Sequence, residues 1–148
     1  MSCDAAASLA VFWLAATGPM HPMASAAANP PPMVAQEPLF LDIVKRAGKL
    51  KLEVTAFQGN DKPISEAVKT HVEELSALDM QGHLTLAKRG TDGDLKCILR
   101  GISQDLPLKF AAVTAAPDRK ARDLALKEMG YLLRDNVEVI TAPPAPPA

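Results

Sequence analysis

An apolar residue recurs every three or four positions in four separate stretches of this chain. In the first stretch, about residues 38–57, the successive spacings are 3, 4, 3, 4 and 3, and the residues are Phe40, Ile43, Ala47, Leu50, Val54 and Phe57. This period places them on one side of an α-helix. Because a helix with a single apolar stripe must bury that stripe against other elements, the pattern strongly constrains the fold.

Three further stretches show the same period. The second, about residues 62–89, has its stripe on Ile64, Val68, His71, Leu75, Leu78 and Gly82. The third, about residues 95–113, has Leu95, Leu99, Ile102, Leu106, Phe110 and Val113. The fourth, about residues 118–139, has Ala125, Met129, Leu132, Leu133, Asn136 and Ile140. Turn signals separate the stretches, so we predict an all-α, up-down-up-down four-helix bundle.

Two residues are expected to disturb these helices. Pro107 has no amide hydrogen to donate to the carbonyl of Ser103, so we expect the third helix to kink or break near this proline. Gly82 is expected to bend or end the second helix, because a glycine inside a helix costs roughly 1 kcal/mol relative to alanine.

The N-terminal region, residues 1–28, predicts a secretory signal peptide. Residues 5–16 carry no charge, and they are too few to span a bilayer, which takes roughly 20 residues. Small residues follow at Ala24, Ser25 and Ala26, which predicts cleavage after Ala26 or Ala28. Residues 1–4 contain no Lys or Arg, so a start further upstream, an unstructured extension and a buried helix remain alternatives. We expect an exported protein, periplasmic or secreted, with no transmembrane segment in the mature chain.

Proline-rich segments flank the predicted bundle. Residues 29–37 form the expected linker and residues 141–148 the expected tail, and both are predicted to be extended and disordered. The folding unit is then the bundle domain, residues 38–140. A helical bundle of this size has enough apolar surface to fold without disulfides.

The composition and the motifs argue against two classes of function. Lys and Arg number 16 against 17 Asp and Glu, and aromatic residues are 4%, so neither charge nor base stacking supports nucleic-acid binding. The chain contains no GxSxG elbow, no lysine-containing glycine-rich phosphate loop and no CxxCH haem attachment motif. We therefore predict a protein that is not an enzyme and has no cofactor.

His71 is a candidate ligand-binding residue. It occupies a stripe position between Val68 and Leu75, so we expect its ring to be buried. A buried neutral imidazole is expected to form a hydrogen bond with a neighbour. The alternative is that His71 binds a small ligand, a haem or a metal, because bundles build such sites from inward side chains.

A weaker candidate is a metal site at one end of the bundle. If neighbouring helices are antiparallel, His83, Cys97 and Asp135 lie at a similar height, and all three are possible zinc ligands. At about 100° per residue, however, none of them points to the centre of its helix's apolar stripe. We therefore predict no metal.

The predicted architecture resembles that of the exported bundle cytochromes of the c-prime and b types, in fold class alone. Those families place a haem histidine in the C-terminal helix, whereas this helix contains YLLRDNVEVI and no histidine. The resemblance therefore implies a fold and no haem.

Apolar residues also occur on the predicted outer faces of the helices. The weak candidate interaction surface contains Met80, Leu84, Cys97, Leu108, Leu124 and Tyr131. Such a patch is typical of self-association or of binding to a protein partner, and Cys97, the one cysteine of the mature chain, could link two copies. The alternative is that the helices are imperfectly amphipathic and the proline-rich segments cover the patch. The leading hypothesis is therefore an exported, non-enzymatic bundle that binds a protein partner or forms a homodimer.

Overall fold

Four α-helices dominate the computed structural model, which describes residues 33–90 and 93–142. They are α1 (Pro38–Thr55), α2 (Glu66–Lys88), α3 (Asp94–Thr114) and α4 (Arg119–Thr141). The described residues contain no strand. The predicted signal peptide, residues 29–32 of the predicted linker and the tail from residue 143 lie outside the described residues.

The four helices form the predicted bundle. Each helix packs against its neighbours in the chain, and contact between α1 and α4 closes the ring. The diagonal pairs, α1 with α3 and α2 with α4, do not approach as closely along the described residues. Short connections make successive helices antiparallel, which gives the up-down-up-down order. No described helix is both long enough and apolar enough to cross a bilayer.

The apolar stripes form the core, as the sequence predicts for α1. Five of its six predicted stripe residues are buried, and the sixth, Phe57, packs against the core while partly exposed. In α3 and α4 the stripes are also buried in the main, with Leu126 and Ser103 as additions that the pattern missed. The period of 3.6 residues was therefore sufficient to find the inward side of three helices.

The inward side of α2 differs from the prediction. Val72, Asp79 and Leu86 are buried, whereas His71 and Leu78 are only half-buried. α2 packs more extensively against α3 than against α1, so its inward face is rotated toward α3. The expectation that His71 is buried is therefore wrong, because this rotation carries His71 to the edge that faces α1.

Polar contacts at the helix ends hold the connections in place. Asp118 caps α4 by accepting a hydrogen bond from the Ala121 amide at 2.8 Å. At the same end, the Gly59 amide, in a turn with φ of 72°, donates to Asp123 at 2.9 Å. At the opposite end, Arg89 forms two hydrogen bonds of 2.7 Å to the Glu37 carboxylate. The start of α1 is thereby joined to the end of α2.

Two details of the helix starts differ from expectation. The second helix begins at Glu66 rather than near Lys62, so Pro63 precedes the helix and does not lie in its first turn. The part of the predicted linker that the structure describes contains a short 3-10 helix, Met33–Gln36, in which Ala35 is buried against the core.

α3 continues through Pro107 without a break, so a broken third helix is excluded, and a kink there stays a prediction. The proline leaves the Ser103 carbonyl without its usual helical donor. The hydroxyl of Ser76 in α2 donates to this carbonyl at 2.6 Å. A neighbouring helix therefore supplies the hydrogen bond that the proline removes.

Gly82 does not end α2, which continues to Lys88. A Cβ at this position would lie 3.0 Å from Leu99 Cδ1 and 3.3 Å from Ile43 Cδ1. The glycine therefore allows α1 and α3 to pack closely against α2, and this close packing explains a residue that is unfavourable in an isolated helix.

We expect Ser76→Ala to lower the free energy of unfolding by about 1 kcal/mol, because it leaves the Ser103 carbonyl without its donor. In a Pro107→Ala background the new amide can donate to the same carbonyl, so the cost of Ser76→Ala should become smaller. Urea unfolding of the four proteins in this double-mutant cycle measures the difference. An equal cost in both backgrounds would contradict the assigned role of Ser76.

Candidate functional site

His71 lies at the rim of the interface between α1 and α2, with a side chain 34% exposed. Its Nδ1 is 2.8 Å from Oε2 of Glu53 in α1. Because a carboxylate oxygen only accepts hydrogen bonds, Nδ1 is the donor. Nε2 is then the ring nitrogen that remains for a further partner. The carboxylate thereby fixes the orientation of the ring, an arrangement also found behind histidines that bind ligands.

A cleft of about 240 Å³ lies beside His71 between α1 and α2. Its lining is mostly charged and consists of Asp42, Lys45, Arg46, Lys49, Leu50, His71 and Glu74. Arg46 is held in place by Asp42 at 2.9 Å and by Glu74 at 2.7 Å. Pockets that enclose drug-sized ligands typically have volumes of roughly 300–1,000 Å³. The cleft therefore suits a small polar molecule better than a haem.

The structure does not bring His83, Cys97 and Asp135 together as metal ligands. His83 Nδ1 donates to the backbone carbonyl of Lys96 at 2.6 Å. Asp135 accepts from Arg134 at 2.9 Å. Cys97 is a disulfide cysteine, so its sulfur is not the thiolate that metals bind. No group of three ligating side chains with metal-site geometry occurs within residues 33–90 and 93–142.

The candidate interaction residues lie mainly on the outer surface. The exposed fractions are 49% for Leu84, 67% for Leu108, 59% for Leu124 and 47% for Tyr131. Met80 and Cys97 are half-buried. Cys97 is disulfide-bonded in the full chain, and a link between two copies of the mature chain through this residue stays a prediction. The set is also spread over three helices, α2, α3 and α4, rather than gathered on one.

A buried polar pair at the centre of the bundle was not predicted as a site. Asp79 in α2 and Asn136 in α4 both have no exposed surface, and Asn136 Nδ2 donates to Asp79 Oδ2 at 2.9 Å. The bond crosses the bundle between diagonal helices. Within the described residues, the Oδ1 atoms of these two side chains are the buried side-chain oxygens that have no hydrogen-bond partner.

The surroundings of Asp79 favour its protonated form. Burial raises the pKa of the carboxyl from its ordinary value of 3.8 to about 8, and the hydrogen bond from Asn136 offsets only part of this effect. A proton on Asp79 also adds a donor to a pair in which both atoms without a partner, the two Oδ1 oxygens, are acceptors. Burial and this pairing together therefore favour the neutral form of Asp79 at pH 7.

Sequence reasoning placed Asn136 on the inner side of α4 but missed Asp79. The predicted stripe of α2 followed apolar residues, and an aspartate inside a bundle interrupts that pattern. The spacing offered one signal, since Val72, Asp79 and Leu86 are seven residues apart. A polar residue that lies seven residues from a buried apolar residue on either side is on the same helix face, and such a position is typical of a buried polar contact.

We expect the free energy of unfolding to fall as the pH rises from about 4 to about 8. In this range the folded protein keeps the proton on Asp79 while the unfolded chain has lost it, so unfolding releases a proton. The slope contributed by this group is up to about 1.4 kcal/mol per pH unit. Urea unfolding across this range measures it.

Asp79→Asn should remove this contribution to the slope, because an amide does not titrate. Asp105→Asn, which changes an exposed carboxylate of α3, is the matched control and should keep the wild-type slope. The same dependence on pH in wild type and Asp79→Asn would show that Asp79 is not the protonated group.

Comparison with known proteins identifies no relative of this chain. No protein-family model matches the chain, and neither the curated proteins nor the solved structures contain a significant match. The functional argument therefore depends on the described residues themselves.

Proposed function

We propose that this protein is an exported, non-enzymatic helical bundle that binds a protein partner or a second copy of itself through its helix faces. The observation that carries the proposal is the exposure of large apolar side chains on helices whose inward sides are already covered. Leu108 and Leu84 are the principal examples, at 67% and 49% exposed. Export, into the periplasm or the medium, follows from the signal-peptide pattern of residues 1–28.

The core does not need these side chains. Each helix already has a buried stripe that packs on two neighbours, and neither Leu84 nor Leu108 belongs to this core. A single exposed leucine is common on protein surfaces. Several of them on rigid, adjacent helices supply an apolar contact area that a partner can cover.

We expect Leu84→Glu and Leu108→Glu to weaken self-association or partner capture while the bundle remains folded, because each places a charge on the apolar surface that the partner would cover. Sedimentation equilibrium measures self-association, and quantitative recovery of cross-linked partners from the exported fraction measures capture. Gln104→Glu, another exposed residue of α3, is the control for added charge and should behave as wild type. Unchanged association and unchanged capture in both leucine variants would refute the proposal.

A second candidate function is the binding of a small ligand in the cleft beside His71. It is favoured by the oriented imidazole and by Lys45, which lines the cleft and forms no ion pair within the described residues. These groups suit a small anion, or a metal ion that brings further ligands with it. The size of the cleft makes haem the least suitable of the ligands considered for this histidine.

Calorimetric titration with inorganic phosphate and with Zn²⁺ tests this candidate. If the cleft is a binding site, His71→Ala should abolish the binding heat while the helical circular dichroism stays unchanged. His83→Ala is the matched control, because His83 lies outside the cleft and donates to a backbone carbonyl. No binding heat with wild type for either probe, or an equal loss in both variants, would exclude the His71 cleft as a site for these ligands.

A further inference from the structure

The outer side of α4 alternates basic and apolar residues along one stripe. Lys120, Leu124, Lys127 and Tyr131 are separated by four, three and four residues, so they lie above one another on the helix. All four are exposed. This stripe is not the buried face of α4, which contains Leu126, Met129 and Leu133.

The outer side of α1 repeats the arrangement. Leu41, Lys45 and Leu52 share one stripe and are exposed, with Leu41 at 51% and Leu52 at 74%. At about 100° per residue these positions point away from the buried stripe of α1, and Lys45 also lines the cleft between α1 and α2. α1 and α4 are neighbours in the bundle, so the two stripes run side by side.

A groove of about 260 Å³ joins the two helices on this side. Lys51 and Thr55 of α1 line it together with Lys127, Tyr131 and Arg134 of α4. The Tyr131 ring has Lys127 Nζ at 5.7 Å and the Arg134 guanidinium at 5.2 Å from its centre. We call the two stripes and Lys51 the α1–α4 face.

The lysines of this face differ in ion pairing from other basic residues of the described chain. Among the described residues, Lys45, Lys51, Lys120 and Lys127 form no ion pair with a carboxylate, whereas Arg46, Lys69 and Lys109 elsewhere do. The helices also differ in composition, since α1 has four basic and two acidic residues and α2 has two basic and four acidic. α4 has five basic and four acidic residues, so α1 and α4 both have more basic than acidic side chains, although the whole chain is close to neutral.

We propose that the α1–α4 face binds the surface of an anionic lipid bilayer. Leucine and tyrosine side chains enter the boundary between headgroups and acyl chains, while lysines beside them contact lipid phosphates. The bundle keeps its fold and lies on the membrane without crossing it. This function is separate from the binding of a protein partner through Leu84 and Leu108.

The α1–α4 face fits a lipid surface better than a protein surface for a physical reason. Lysine is a flexible point charge that attracts a diffuse layer of negative charge, whereas defined protein contacts favour arginine in fixed geometry. Arg134, the arginine of this groove, is already engaged by Asp135 and Glu138. An acidic protein as the true occupant of the face is therefore the alternative that the experiment has to separate.

Co-sedimentation of the full chain with phosphatidylcholine vesicles, with and without phosphatidylglycerol, tests the proposal. Wild type should bind the vesicles that contain phosphatidylglycerol at low salt and dissociate at high salt. Lys51→Gln and Lys127→Gln should each lower the partition coefficient about fivefold, which corresponds to about 1 kcal/mol per lysine. Leu52→Glu should lower it by at least about tenfold, through the lost leucine insertion and the added negative charge.

Gln104→Glu is the control for added negative charge, since Gln104 is an exposed residue of α3 outside the face, and this variant should bind the vesicles as wild type does. Equal losses in Leu52→Glu and Gln104→Glu would refute the assignment of the face. Equal binding to vesicles with and without phosphatidylglycerol would refute the role of the lysines. No binding of wild type to the anionic vesicles would overturn the proposal and favour an acidic protein as the occupant. None of these outcomes changes the test of Leu84 and Leu108 in partner binding.

Discussion

The burial of four apolar stripes is the constraint on which the rest of this structure depends. Each helix has one stripe, and two neighbours are needed to cover it, so α1 must contact α4 as well as α2. Closing the ring fixes which side of every helix is inside. It thereby also fixes which side is outside, and the two proposed binding functions of the helix faces depend on that outer side.

One polar contact interrupts the core and adds specificity to it. Asp79 and Asn136 meet across the bundle at 2.9 Å without exposure to solvent. Apolar side chains tolerate small shifts of one helix along another, but a shift here would leave a carboxyl and an amide buried without partners. The pair therefore favours one register of α2 against α4. The free energy of unfolding then depends on pH, because the buried pair is most stable when Asp79 carries its proton.

The outer surface is organised by charge as well as by exposed apolar residues. Lysines beside Leu52 and Tyr131 lack ion pairs within the described residues, while the cleft beside His71 contains carboxylates that hold Arg46. The first arrangement leaves positive charge available to a negative surface. The second largely satisfies its own charges and leaves the imidazole as the group open to a ligand.

Local sequence patterns were enough to predict the number of helices, their approximate ends and the inward side of three of them. These properties depend on local period, on turn residues such as Gly59 and on the cap at Asp118, and all of these act within a few residues along the chain. The continuation of α3 through Pro107 could not be predicted in the same way, because its compensating donor, Ser76, lies on another helix.

The rotation of α2 depends on packing between helices, and this rotation sets the positions of two residues. The close packing of α2 on α3 turned Asp79 into the core and His71 to the rim beside Glu53. A helical period gives the direction of a stripe to within about one residue, or about 100°. The choice between adjacent residues depends on how closely neighbouring helices approach, and that distance is set by contacts such as Gly82 against Leu99, which are remote in the sequence.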